Sequence, residues 1–206
     1  GGHGGRALAA PEVQLAAHLQ LAAGGQRTLT VAPEAGSERM RRIINKGIQE
    51  EDIFRAVALA SSPGMPHLKL YFMIGLPEET QTDVEAIADM VLRVRAKMLE
   101  CGSRGDLTIS VNPFVPKPFT PFQWQPLQPL KTFEQKVAFL KKSFEKDRRI
   151  KLIAESGRET LLQAVLARGD RRLGAVLLAA FQAGGEKKFR RLAEAEAPEN
   201  MARLTA

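Results

Sequence analysis

The chain has 206 residues, of which 44% are hydrophobic and 26% charged, a composition typical of a soluble globular protein. No apolar run approaches the roughly 20 residues that cross a membrane, and the single cysteine, Cys101, excludes an internal disulfide framework. The lone cysteine and the lack of a secretory signal pattern predict a cytoplasmic protein. The net charge of +7 is compatible with an anionic partner such as RNA without establishing one.

The first half of the chain predicts helices around one strand. Pro11 suits the first turn of a helix, and apolar residues follow it. The β-branched segment TLTVAPE, residues 28–34, predicts a strand. Ser37 is a suitable N-cap for a helix that Gly47 ends, and residues 50–61 predict a further amphipathic helix.

Two more strands are predicted in the middle of the chain. The apolar run HLKLYFMIGLP, residues 67–77, predicts a strand covered on both faces, as in a parallel sheet. Thr80 and Asp83 are spaced like a capping box at the start of a long helix. Residues 106–115 predict a third strand, and a basic amphipathic helix is expected over about 132–147.

Three strands separated by helical crossovers predict parallel right-handed βαβ units. Such a sheet has two open edges, so we expect the chain to be part of a larger α/β assembly, such as half of a barrel. We predict a lead-in and helix over residues 1–27, the α/β unit over 28–150 and a helical extension over 151–206.

Each predicted strand ends in turn and polar residues, namely APEAGS (32–37), GLPEET (75–80) and NPFVP (112–116). Ligands of parallel α/β folds bind at the carboxyl ends of the strands. These segments are therefore candidate binding residues. The alternative is that turns between strands and helices require glycine, proline and capping residues in any case.

Three polar side chains near these ends are candidate ligands. Glu34 can accept two hydroxyl groups, as carboxylates do from riboses, or act as an acid that a helix dipole favours. Lys46 can reach back to a ligand carboxylate or complement a helix C-terminus. Asn112 can bond a ligand or cap the break between strand and loop.

The sequence predicts no catalytic and no metal-ligating residues. Three histidines and one cysteine have no metal-ligand spacing, and neither a Ser/His/Asp set nor a phosphate loop is present. The basic segments 141–151, 167–172 and 186–191 predict solvated helix faces. The alternative is that they make the chain a non-catalytic RNA-binding α/β module.

Taken together, the strand-end segments resemble a known family. TLTVAPEAGSERMRRIINKG, LKLYFMIGLPEETQTDVEAI and LTISVNPFVPKPFTPFQW resemble the fourth, fifth and sixth strand regions of radical S-adenosylmethionine (SAM) enzymes. The resemblance extends over about residues 25–185 and includes RGDRRLG at 168–174. It is strongest to bacterial radical SAM proteins that often carry a cobalamin-binding-type N-terminal domain.

The resemblance implies contacts to SAM. Glu34 falls where family members bind the ribose of SAM, and Lys46 falls where they bind the methionyl carboxylate. The segments that end the second and third predicted strands fall where family members pack against adenine. The implied cofactor-binding residues are Glu34, Ser37, Lys46, Met73, Ile74, Gly75, Asn112, Pro113, Phe114 and Val115.

The sequence departs from the family at two places. In the motif G-x-I-x-G-x-x-E, Tyr71 replaces the first glycine and Met73 the isoleucine. The CxxxCxxC motif, whose three thiolates hold a [4Fe–4S] cluster, is absent.

We therefore expect the C-terminal half of a (β/α)6 partial TIM barrel, followed by a helical extension. In the full-length protein the cluster would cleave SAM reductively to a 5′-deoxyadenosyl radical, whereas this chain alone would be inactive. The resemblance implies three partners, which are SAM, a substrate and the missing N-terminal half of the barrel, and it also allows cobalamin in the full-length protein. An unrelated α/β barrel fragment is a further alternative.

Overall fold

The computed structural model describes residues 24–61, 65–185, 188, 189 and 191. The helix predicted from Pro11 lies outside the described residues. In chain order the elements are β1 (Thr28–Glu34), α1 (Glu38–Ile43), α2 (Glu50–Ala60), β2 (His67–Ile74), α3 (Gln81–Glu100), β3 (Leu107–Pro113), α4 (Leu130–Phe144), β4 (Ile150–Ala154), α5 (Gly157–Arg168) and α6 (Leu173–Gln182).

The strands form one parallel sheet in the order β1-β2-β3-β4, with helices between successive strands. This arrangement confirms the α/β class and is that of a partial α/β barrel followed by helices. The expected number of strands was wrong, because β4 pairs with β3 from Ile150 opposite Leu107 to Ala154 opposite Val111. The predicted domain boundary between residues 150 and 151 falls inside this strand.

One face of the sheet is covered by helices. Along β2, Leu68, Leu70 and Phe72 are buried, whereas the alternate residues Lys69 and Tyr71 are only half-buried. The prediction that this strand is covered on both faces is therefore wrong for the described part of the chain. Strand side chains alternate between faces, and the apolar set of β2 joins a core built from α2, α3 and α4.

The long helix α3 provides much of that core. Thr80 and Asp83 form the predicted capping box, in which each side chain accepts a hydrogen bond from the other residue's backbone N–H. Val84, Ile87 and Val91 are buried on the sheet side, and each fully buried aliphatic side chain contributes about 1.5–3 kcal/mol. Leu92 of the same helix is exposed and lies outside this buried set.

Helices α5 and α6 build a second apolar cluster. Val165 of α5 packs with Leu173 and Val176 of α6, and Leu127 from the loop between β3 and α4 joins them. The two helices are separated by residues 169–172. The two helices thereby hold the loop that follows β3 over the carboxyl end of the sheet.

Candidate functional site

A cavity of about 670 Å³ lies where the strands end. Residues from β1, β2 and β3 and the residue that follows β4 all contribute to its lining. Ligand cavities of proteins typically measure about 300–1,000 Å³. Seven of the ten predicted cofactor-binding residues line it, and these are Glu34, Lys46, Met73, Asn112, Pro113, Phe114 and Val115.

Glu34 and Lys46 form an ion pair at one side of the cavity. The Lys46 Nζ lies 3.0 Å from the Glu34 Oε1, and both side chains are about one quarter exposed. Glu34 ends β1, where its φ of 67° lies in the left-handed region that non-glycine residues rarely adopt. Lys46 lies three residues beyond the end of α1. Both charged groups are therefore directed to the cavity by turns rather than by helix ends.

A buried arginine supports both of these turns. The Arg41 side chain is 1% exposed and donates hydrogen bonds to the carbonyl oxygens of Ala35 (3.1 Å), Gly36 (2.8 Å) and Ile48 (3.2 Å). Burial lowers the pKa of this guanidinium from its usual range. The Lys46 N–H donates to the Arg41 carbonyl at 2.9 Å. Sequence reasoning missed this role, since the three acceptors are backbone atoms that converge only in the folded chain.

Ser37 serves the scaffold and does not line the cavity. Its Oγ accepts the Met40 N–H at 3.1 Å, which confirms the predicted N-cap, and donates to Asp83 Oδ1 at 2.6 Å. Arg39 donates to the other Asp83 oxygen at 2.5 Å. Burial of Asp83 raises its pKa, but the hydrogen bonds from Arg39, Ser37 and Thr80 outweigh this and hold the pKa well below its usual range. Asp83 therefore joins the start of α1 to the start of α3.

The three predicted cofactor-binding residues at the end of β2 lie in different places. Met73 lines the cavity, whereas Ile74 is fully buried on the opposite face of the sheet, as strand alternation requires. Gly75 has a φ of 88°, and a side chain there would meet Gln128 from the loop after β3 at 3.0 Å. Gly75 lies beside Gln128 in a separate cavity of about 450 Å³.

The two glutamates of GLPEET lie in the turn before α3, which starts at Gln81. The Gly75 N–H donates to both Glu79 oxygens at 3.1 Å. Glu79 also accepts from the Lys136 Nζ of α4 at 2.5 Å, and both side chains are nearly buried. Glu79 therefore fixes the turn after β2.

Aromatic side chains provide an apolar wall. Phe114 and Phe122 pack edge to face with their ring centroids 5.9 Å apart, and both line the cavity beside Met73 and Val115. Tyr71 lines the same space and carries the Lys69 ammonium 4.6 Å from its ring centroid. Such a wall suits the flat face of a nucleobase.

The donor set of the cavity fits SAM. A carboxylate suits ribose hydroxyls, an ammonium suits the methionyl carboxylate, and the aromatic wall suits adenine. The donor set does not fit a [4Fe–4S] cluster. Cys101 is exposed at the end of α3, and the described residues contain no group of three His, Cys, Asp or Glu side chains suited to a metal.

Part of the late basic sequence is already paired. Arg149 and Lys151 both contact the Asp106 carboxylate. Lys141 and Lys142 are exposed in the last turn of α4, as predicted for a solvated helix face. RNA binding stays a prediction.

A family model matches part of this chain. Residues 11–91 match the family model of the radical SAM superfamily. The match confirms the resemblance to this superfamily that the first two strand-end segments carry. It includes the Glu34 and GLPEET segments and ends before the segment that begins at Asn112.

One relative extends the similarity further along the chain. The uncharacterized protein MJ0966 of Methanocaldococcus jannaschii is 38% identical over 151 residues, which are 73% of this chain and 32% of that protein. The chain thus spans about a third of the length of this relative. No solved structure matches the chain. None of the described helices is long and apolar enough to cross a membrane.

Proposed function

We propose that this chain supplies the SAM-contacting part of a radical SAM active site. The observation that carries the proposal is the cavity at the strand ends, which is lined by Glu34, Lys46, Met73 and Asn112 in a chain that matches this superfamily. The cavity lies where parallel α/β folds bind their ligands.

Each part of SAM has a complementary group in this arrangement. Glu34 accepts hydrogen bonds from the ribose hydroxyls, and Lys46 pairs with the methionyl carboxylate. Before SAM binds, the 3.0 Å ion pair keeps both side chains in the cavity and limits the cost of partly burying their charges. Met73, Phe114 and Val115 pack against adenine, and Asn112 supplies a hydrogen bond at its edge.

The contribution of these residues is binding rather than bond cleavage. In the full-length protein, we propose, SAM is cleaved reductively at a [4Fe–4S] cluster whose ligands lie outside these 206 residues. The sequence contains one cysteine, and three thiolates are required. The chain on its own therefore binds SAM without cleaving it.

Equilibrium dialysis of the 206-residue chain against labelled SAM tests the proposal. We expect saturable binding that Glu34→Gln and Lys46→Met each weaken by about tenfold, the effect of losing one hydrogen bond to a charged group. Glu85→Gln and Lys141→Met change the same residue types at exposed positions outside the cavity and should bind as the unmodified chain does. Equal affinity in all five proteins would contradict the proposal.

A further inference from the structure

A second carboxylate enters the cavity from the strand that the sequence did not predict. The Glu155 N–H donates to the Val111 carbonyl at 3.2 Å, so the parallel ladder continues one residue beyond β4. Ile150 and Leu152 pack on the helix-covered core. Alternation therefore directs Glu155 to the open face, and its side chain lines the cavity with that of Glu34.

The two carboxylates lie at opposite ends of the cavity. Glu34 ends β1 and Glu155 follows β4, and these are the outer strands of the described sheet. Neighbouring strands are about 4.8 Å apart, so three intervals separate the two outer strands by roughly 14 Å. A ligand held at the Glu34 end against Met73 leaves the Glu155 end for another group.

The surroundings of Glu155 differ from those of Glu34. Among the described side chains, Glu34 has the Lys46 ammonium as an ion-pair partner, whereas Glu155 has no ion pair and accepts one hydrogen bond, from the Gln163 amide of α5. Burial is the main cause that raises the pKa of Glu155; repulsion from Glu159 adds to it and Lys117 opposes it. Lys117 lies in the same cavity but forms no ion pair with Glu155, and a half-buried carboxylate without such a contact is stabilised when a ligand brings a cation to it.

We propose that Glu155 binds the protonated amine of the molecule that occupies the cavity beside SAM, which is the substrate. This inference rests on the proposed function, because it takes SAM to occupy the Glu34 end. The Gln163 amide holds one Glu155 oxygen and leaves the other to accept a hydrogen bond from the amine. Phe122 also lines the cavity, and we assign it to the apolar body of this ligand. The substrate class is thus a primary amine with an apolar or aromatic neighbour.

Nuclear magnetic resonance of the 15N-labelled chain tests this assignment with benzylamine as the probe and benzoate as its anionic counterpart. We expect benzylamine to shift the Gln163 side-chain amide saturably, and Glu155→Gln to weaken this binding by about tenfold. Glu145→Gln, an exposed change at the end of α4, should leave it unchanged. Thermal unfolding of each variant verifies that it is folded. Equal benzylamine binding by Glu155→Gln, or equal shifts with benzoate, would overturn the inference.

Titration with SAM separates this inference from the proposed function. If Glu155 serves a second molecule, Glu155→Gln binds SAM as the unmodified chain does, whereas Glu34→Gln does not. If Glu155→Gln weakens SAM binding as much as Glu34→Gln, Glu155 belongs to the SAM contacts and the inference is wrong. A chain that binds benzylamine through Glu155 but shows no saturable SAM binding would contradict the proposed function and leave the amine site standing.

Discussion

Glu34 combines a charged group with an unfavourable backbone conformation. A non-glycine residue in the left-handed region costs roughly 1–2 kcal/mol, and the β1–β2 register is irregular between Val31 and Glu34. The surrounding contacts hold this conformation, since Arg41 binds the carbonyls of the next two residues. Such strain is typical of functional positions whose surroundings determine their geometry.

Arg41→Lys should lower both stability and SAM affinity. The lysine keeps a positive charge but cannot reach three carbonyl groups as a planar guanidinium does. We expect a loss of about 2–4 kcal/mol in the free energy of unfolding, measured by urea denaturation. Arg42→Lys is the control, because Arg42 is exposed and, among the described residues, its ion-pair partner is Glu38 on the same helix. Equal stability of the two variants would contradict the role assigned to Arg41.

Gly36 permits close packing of the Glu34 turn against α3. A Cβ atom at this position would lie 2.2 Å from the backbone nitrogen of Ile87. Gly36→Ala must therefore displace the turn, and we expect it to cost about 2–3 kcal/mol in urea denaturation and to weaken SAM binding. Gly174→Ala is the matched control: nothing lies within 4 Å of its Cβ position in α6, and it should stabilise by about 0.5–1 kcal/mol. A Gly36→Ala chain as stable as the unmodified one would show that the turn can move freely.

The helices that orient the cavity are joined through their N-termini. Asp83 caps α3 and also binds Ser37 and Arg39 at the start of α1, so its ionised form is needed for both helices to keep their relative position. Its contribution to stability should therefore depend on pH.

The direction of this pH dependence follows from the pKa of Asp83, which is lower in the folded chain than in the unfolded chain. The contribution is fully present above the unfolded pKa of about 3.9 and is lost as the pH falls toward the lower folded value. Between about pH 5 and about pH 2, the free energy of unfolding should therefore fall more steeply for the unmodified chain than for the Asp83→Asn variant. Carboxylates common to both proteins cancel in this difference. Parallel pH curves would contradict the assignment.

Secondary-structure elements with a strong local sequence pattern were predictable, whereas an element that is identified only by its pairing with another strand was not. The bounds of β1 agree with the predicted 28–34, and the capping box of α3 was visible from Thr80 and Asp83. β4 was missed because IKLIA is short, contains an exposed lysine and follows a basic helix, so only its pairing with β3 identifies it.

The same distinction holds for the candidate site. Glu34, Lys46 and Asn112 were predictable because they lie in or near recognisable strand ends. Glu155 was not, since its position in the cavity depends on the unpredicted β4. The sequence does not distinguish Arg41 from the other basic residues of its helix, because the backbone carbonyls that it binds come together only after folding.

The described sheet is consistent with a partial α/β barrel. Helices cover one face, whereas Lys69 and Tyr71 of β2 and Ile153 of β4 remain partly accessible on the other. Among the described strands, β1 pairs only with β2, and β4 only with β3. This arrangement supports the proposal that the strands complete a barrel with polypeptide outside these residues.

Reconstitution with iron and sulfide should leave the chain without a stoichiometric cluster. The 206 residues contain one cysteine, which is exposed, and a [4Fe–4S] cluster of this type requires three thiolates. Iron analysis and visible absorption should give the same low background for the unmodified chain and for Cys101→Ser. A full cluster per chain would refute the proposal that its ligands lie elsewhere.

Binding of SAM in this cavity is tested most directly through the methionine methyl groups. Met73 lines the cavity, whereas Met65, Met90 and Met98 are buried, do not line it and serve as internal controls. In a chain with 13C-labelled methionine methyl groups, SAM should shift the Met73 resonance saturably and give nuclear Overhauser effects between that methyl and the adenine protons. An unchanged Met73 resonance at saturating SAM, or adenine contacts only to other methionines, would contradict the assignment.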